Sequence, residues 1–116
     1  VQVRVIPVAS QYLDYALEIS SQIESRGFRV DVDDTNRPLG RKIVDAEREW
    51  IPYIVVVGEN EVKSRTINVR IRRSGEQKLM SVHELLEMLE NETKGYPKRG
   101  MYFPKLLSKR PKFLIY

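Results

Sequence analysis

The sequence has no cysteine and a single histidine, His83. Without thiols there is no disulfide, no thiolate metal site and no cysteine nucleophile, and one histidine makes neither a metal cluster nor a histidine-pair relay. The six glycines are scattered and never form G-x-x-x-x-G-K-[ST] or G-x-G-x-x-G, so no glycine-rich phosphate cradle is written in the chain. The first strand-to-helix joint, Pro7-Val8-Ala9-Ser10, has no glycine at all, which disfavours dinucleotide binding of the Rossmann type. Long apolar runs are missing as well. The run Ile54–Val57 is far shorter than the ~20 residues of a membrane-spanning helix. No basic-then-apolar leader is visible. These absences set the expectation of a cytoplasmic protein with no membrane partner. The chain starts with Val1 already inside a strand pattern, and we read it as a segment of a longer protein, its last domain.

What is present is an ordinary globular composition: 116 residues, 41% hydrophobic and 31% charged. That suffices for one domain with a core of its own. Charge is segregated. Residues 1–93 hold 13 Lys/Arg against 16 Asp/Glu, whereas residues 94–116 hold seven Lys/Arg and no acid. Within the body, Lys63, Arg65, Arg70, Arg72, Arg73 and Lys78 face only Glu76, while Glu84, Glu87, Glu90 and Glu92 follow without a base. Segregated sign points to one surface that meets an anion and another that meets water.

The patterning predicts β-α-β-α-β, then two strands, then a helix. Val1, Val3 and Val5 alternate with polar residues until Pro7, a strand over 1–6. Ser10 is placed to cap a helix carrying Leu13, Leu17, Ile19 and Ile23, which Gly27 stops. Phe28, Val30 and Val32 alternate with Arg29, Asp31 and Asp33, a half-buried edge strand. Pro38 suits the start of a helix whose core stripe is Leu39, Ile43, Ala46 and Trp50, ended by Pro52. Ile54–Val57, continuously apolar, fits a strand covered on both faces. Residues 66–72 alternate, Ser74-Gly75 turns, and Gln77–Met80 forms a last strand. Ser81 and Glu84 make a capping box for a helix with Val82, Leu85, Leu86 and Leu89. The fold expected is three-layer α/β/α on a mixed five-stranded sheet, mostly parallel. Residues 1–94 form the domain. Residues 95–116 form a basic extension rich in aromatics (Tyr96, Tyr102, Phe103, Phe113, Tyr116) that packs on this or another domain.

Catalytic chemistry finds no support. Ser10, Thr66 and Ser81 have no base beside them, and His83 lies in an acidic helix. Asp31, Asp33 and Asp34 read as carboxylates at a strand end before a helix rather than as a magnesium site. A binding surface remains. Arg70 and Arg72 share one strand face about 7 Å apart, and guanidinium groups suit two-point recognition of phosphates or guanine edges. Glu61, in Gly58-Glu59-Asn60-Glu61, can accept hydrogen bonds from base amino and imino groups.

In combination, Asn36-Arg37-Pro38-Leu39-Gly40-Arg41-Lys42-Ile43, Trp50-Ile51-Pro52-Tyr53-Ile54-Val55-Val56-Val57-Gly58, Glu61-Val62 and Val69-Arg70-Ile71-Arg72 resemble the C-terminal anticodon-binding domain of class II aminoacyl-tRNA synthetases. The V-R-x-R strand, the G-x-x-E-V turn and the ending Ser108-Lys109-Arg110-Pro111-Lys112-Phe113 are most similar to archaeal-type threonyl enzymes. The resemblance implies a domain that grips the anticodon stem-loop of threonine tRNA. Asn36, Glu61 and Arg70 would read bases, the shared middle G and final U of threonine anticodons, and Lys42, Arg72 and Arg73 would hold the RNA backbone. It implies no cofactor in this segment. ATP and zinc would belong to a separate catalytic domain, through which the parent ligase would be a homodimer. Trp50 stands where bacterial members carry a basic residue, and its place in the helix stripe assigns it to packing. The same domain from a prolyl, histidyl or glycyl synthetase, a synthetase-derived interaction module, and an RNA-free nucleotide-binding or signalling module are the alternatives at this level.

Overall fold

Tyr53–Val57 is the centre of the molecule, as its unbroken run of β-branched and aromatic residues requires. The computed structural model describes residues 2–93, so the packing expected of the basic extension falls outside the described residues. The elements are β1 (Val3–Pro7), a 3₁₀ turn (Ser10–Tyr12), α1 (Leu13–Ser25), β2 (Val30–Val32), α2 (Leu39–Arg48), β3 (Tyr53–Val57), α3 (Glu59–Ser64), β4 (Ile67–Ile71), β5 (Glu76–Met80) and α4 (Val82–Thr93). They form one sheet in the order β2-β1-β3-β4-β5. β1 pairs in parallel with β2 and β3. β4 runs antiparallel to both β3 and β5, so only β4 opposes the other four strands.

Two cores sandwich the sheet. On one face Val3, Val5, Val55, Val57, Ile67 and Val69 pack with Ile19 and Ile23 of α1 and with Leu85 and Leu89 of α4. On the other face Ile6 and Ile54 pack with Ala46 and Ile51 at the end of α2. Three differences from the sequence reading are physical. Ser10 does not cap α1 with its side chain, because a 3₁₀ turn entered from Ala9 intervenes. β2 is at an edge as expected, yet it is buried on both faces, because Asp31 is neutralised by a buried cation from β1. The segment after β3 is the short helix α3 rather than an open turn. The Ser81 hydroxyl does accept the Glu84 amide, at 3.2 Å, as the capping motif requires.

Tyr15 ties α1 to the entrance of β4. Its hydroxyl donates to the Thr66 carbonyl at 3.0 Å, and burial raises its pKa above the ordinary 10.0. The fold therefore favours the neutral phenol. That contribution is present below about pH 10 and is lost as pH climbs through the higher folded-state value. Tyr15→Phe should cost about 1 kcal/mol at pH 7 and flatten the alkaline fall in stability, as read by urea unfolding at neutral and alkaline pH. A variant as stable as wild type at pH 7 would contradict the assignment.

Candidate nucleic-acid interface

The core under α2 gathers on Ile6 and Ile54 of β1 and β3, and among the described residues only the end of α2 reaches β4, through Glu47. The strand register places Arg70 opposite Ile54 and Gln77, and Asn68 opposite Val56 and Leu79. All six share that face, because side chains opposite each other in a ladder point the same way. Asn68 and Arg70 are half-buried and Gln77 is exposed; Leu79 is 65% exposed. This is a shallow platform of donors, one guanidinium and a little apolar surface.

Its border is built from the end of α2. Arg70 Nη1 bonds Glu47 Oε1 at 3.3 Å, and Arg72 Nε donates to the Glu47 carbonyl at 3.2 Å. Arg72 also lays its guanidinium carbon 3.9 Å from the centre of the Trp50 ring. The sequence pattern puts Trp50 in the core stripe of α2, and the structure corrects this: the side chain is 73% exposed. The cause is the helix stop. Trp50 N–H bonds the Glu47 carbonyl and Ile51 N–H reaches back to the Ala46 carbonyl, and this pair of bonds requires a left-handed residue between them. Trp50 supplies it, at φ 59°. That turns its ring off the stripe, and Ile51, 3% exposed, takes the core position instead. Glycine is the usual residue there. A bulky L-residue in this conformation costs about 1–2 kcal/mol. Pro52 was the available signal, since the residue before a proline leaves the helical region and the stripe cannot run past it.

Asn36 is exposed at the C-terminal ends of β1 and β2. It lies on the rim of a cavity of about 190 Å³ with Pro7, Ser10, Asp34 and Lys42. Its loop is held firmly. The Asp33 carboxylate accepts from the Thr35 amide and hydroxyl and from Arg37 Nη2 at 2.9 Å, and Arg37 also pairs with Asp45. Lys42, expected beside Arg72 as a backbone-gripping cation, is placed differently. It is 5% exposed, donates to the Asp33 carbonyl at 3.3 Å, and has a pKa lowered by burial. Asp31 and Asp33 are engaged by Arg4 and Arg37, as befits structural carboxylates. His83 is exposed on α4 beside Glu87.

Glu61 sits in the first turns of α3, half-exposed. A side chain on Gly58 would come within 3.1 Å of Val8 and 3.8 Å of the Glu61 carboxylate, so the glycine lets α3 fold closely over the end of β1. Glu61 and Asn36 therefore both lie near the C-terminal ends of the parallel strands. Arg70 opposes the start of β3, about 10 Å back along the strand by its rise per residue, because β4 runs the other way. Arg73 belongs with neither group: it lines a separate hollow with Pro52, Tyr53 and Ile71.

Residues 2–92 match the family model described as anticodon binding domain. The chain belongs to that family. The threonine–tRNA ligase of Staphylothermus marinus is 60% identical over 111 residues, 96% of this chain and 18% of that protein. That of Pyrococcus furiosus is 51% identical over 113 residues, again spanning 18% of the relative. The anticodon-binding domain thus corresponds to under a fifth of the relatives it matches. Among solved structures, the RNA binding domain of threonyl-tRNA synthetase from Cryptosporidium parvum superposes with a TM-score of 0.72 at 26% identity, covering 83% of this chain and 24% of that one. Histidyl-tRNA synthetase from Nostoc shares the fold at a TM-score of 0.73. The mixed sheet expected from the patterning is the fold of these synthetase domains.

Proposed function

We propose that this domain binds the anticodon stem-loop of threonine tRNA as part of a threonine–tRNA ligase, an ATP-dependent enzyme whose activation site, with any zinc and any dimer contacts, lies in another domain. The observation that carries the reading is the face of β4 and β5 on which Arg70, Asn68, Gln77 and Leu79 stand together, open among the described residues, in a chain of this family at 60% identity to a threonine–tRNA ligase. Arg70 supplies a planar pair of donors, suited to O6 and N7 of guanine. Glu61 supplies acceptors, suited to base amino and imino groups. About 10 Å of strand separates their backbone positions, which gives each side chain room for a contact of its own. In this reading Arg70 and Glu61 contact different nucleotides of an unstacked loop, the form in which RNA sequence is read. Asn36 joins the Glu61 end. Arg72 holds phosphate. Buried Lys42 acts on the Asn36 loop from beneath, and Arg73 is the weakest of the backbone candidates because it leaves the platform.

The test is a titration of the 116-residue chain with a stem-loop bearing a threonine anticodon and with one altered at the middle base. Binding should weaken as salt rises, with a log–log slope of about −0.7 per neutralised phosphate, and should favour the threonine anticodon. Equal affinity for both stem-loops, or indifference to salt, would sink the proposal. A related expectation concerns Glu47, which occupies Arg70. Glu47→Gln should tighten binding to all stem-loops by a few-fold, since an exposed ion pair of this kind is worth about 0.2–1 kcal/mol. Weaker binding would show that Glu47 orients Arg70 rather than competing for it.

A further inference from the structure

Trp50 is large, aromatic and exposed, held in a backbone conformation that glycine would adopt without strain. Strained residues of this kind persist where the surroundings over-determine them, and they cluster at functional positions. The surroundings here do so. Glu49, next to Trp50, is gripped by Arg4, whose Nη2 lies 3.0 Å from its carboxylate. Glu47 is tied to Arg70 through its carboxylate and to Arg72 through its carbonyl. Ile51 is sunk in the core. The ring therefore stands on a fixed base. The Arg72 guanidinium lies 3.9 Å from the ring centre, yet 73% of the residue is still open to solvent. One face is backed by a cation and the remaining surface is free.

We infer that Trp50 is a stacking platform for an unpaired nucleobase of the bound RNA, adjacent to the nucleotide that Arg70 reads, with Arg72 behind the ring to orient it and to supply positive charge. This rests on the RNA-binding reading above and adds a contact that neither the core stripe nor the cationic strand suggested. Indole and base faces stack without regard to base identity, and a cation over one face of the ring adds local positive potential for the adjoining phosphate. Charge complementarity selects the occupant. The ring is bordered by Arg72 and, across Glu47, by Arg70, a setting for a polyanion with exposed bases.

Trp50 is the sole tryptophan of the chain, so intrinsic emission reports this ring alone. The experiment titrates the wild-type chain, Trp50→Gly and Trp50→Phe with the threonine anticodon stem-loop, following emission for the wild type and an independent binding signal for all three. Wild-type emission should be quenched along the binding isotherm. Trp50→Gly should bind roughly 5- to 100-fold more weakly, the range for loss of one base–aromatic stack. That loss should be the same for every anticodon variant and leave the salt slope unchanged, because stacking releases no counterions. Trp50→Phe should recover most of the affinity. Trp50→Gly should melt no lower than wild type, since glycine relieves the left-handed backbone; this separates a platform from a packing residue. If the stem-loop binds with undisturbed emission, or Trp50→Gly binds as well as wild type, the platform is refuted while RNA binding stands. If Trp50→Gly melts lower and binds normally, Trp50 is a packing residue and the inference is wrong. If no stem-loop binds at all, the RNA reading and the platform fall together.

Discussion

Arg4→Met is expected to destabilise the domain by about 3–5 kcal/mol, the usual result of stranding a buried charge. Arg4 is fully buried, as is Asp31. Its Nε and Nη2 each meet an Asp31 oxygen at 3.0 Å, and its other edge holds Glu49. Burial by itself would lower the Arg4 pKa, but the hydrogen bonds it donates to Glu49 and Asp31 raise it above its ordinary value. The guanidinium therefore stays charged at any working pH. The triad joins β1, the edge strand β2 and the end of α2, so its loss loosens both the sheet edge and the backbone that presents Trp50. Urea unfolding of Arg4→Met measures the cost. The triple variant Arg4→Met, Asp31→Leu, Glu49→Leu should recover most of it, since replacing a whole buried ion cluster with apolar groups is often neutral. A single variant that loses less than about 1 kcal/mol would mean that the triad is solvated in solution.

Arg70→Ala and Glu61→Ala are expected to separate reading from gripping. A residue that reads a base should shift preference between anticodons by about 1–3 kcal/mol per good two-point contact. Placing the two at opposite ends of β3 adds a condition: Arg70→Ala should relax discrimination at one anticodon position and Glu61→Ala at another. Arg72→Ala should weaken all stem-loops alike and reduce the salt slope by about one phosphate. Competition titrations with single-base variants of the loop measure all three. Should Arg70→Ala weaken every variant by one common factor, Arg70 belongs with the phosphate contacts. Should both variants relax the same position, the two side chains meet one base and the separation argument is wrong.

The order of elements was legible in the sequence because burial on a single face leaves a local period. Val3 and Val5, the stripe of α4, and the unbroken Ile54–Val57 run each record which neighbours are apolar, and the structure has them in the core. Arg70 was legible for the same reason, since it and Asn68 alternate with apolar Ile67, Val69 and Ile71 along β4. The family could be recognised from short strings around Asn36, Gly58 and Arg70.

What the sequence by itself determined, then, was the mixed sheet, the central strand and the residue types on offer for binding. Tertiary structure decided which of them share a site. Arg4 reads as a solvent-facing residue of an alternating strand, yet partners 27 and 45 residues away bury it. Lys42 reads as a surface cation, yet the Asp33 carbonyl and the packing of α2 enclose it. Trp50 reads as core, yet one left-handed residue at the helix stop turns it into the open. Glu61 and Arg70 lie one connection apart in the sequence, and the reversal of β4 sets Arg70 against Ile54 near the start of β3. The physical reason is common to these cases. Local periodicity reports how a side chain points from its own element, whereas its burial, charge partner and distance to another site depend on which distant segment packs against it.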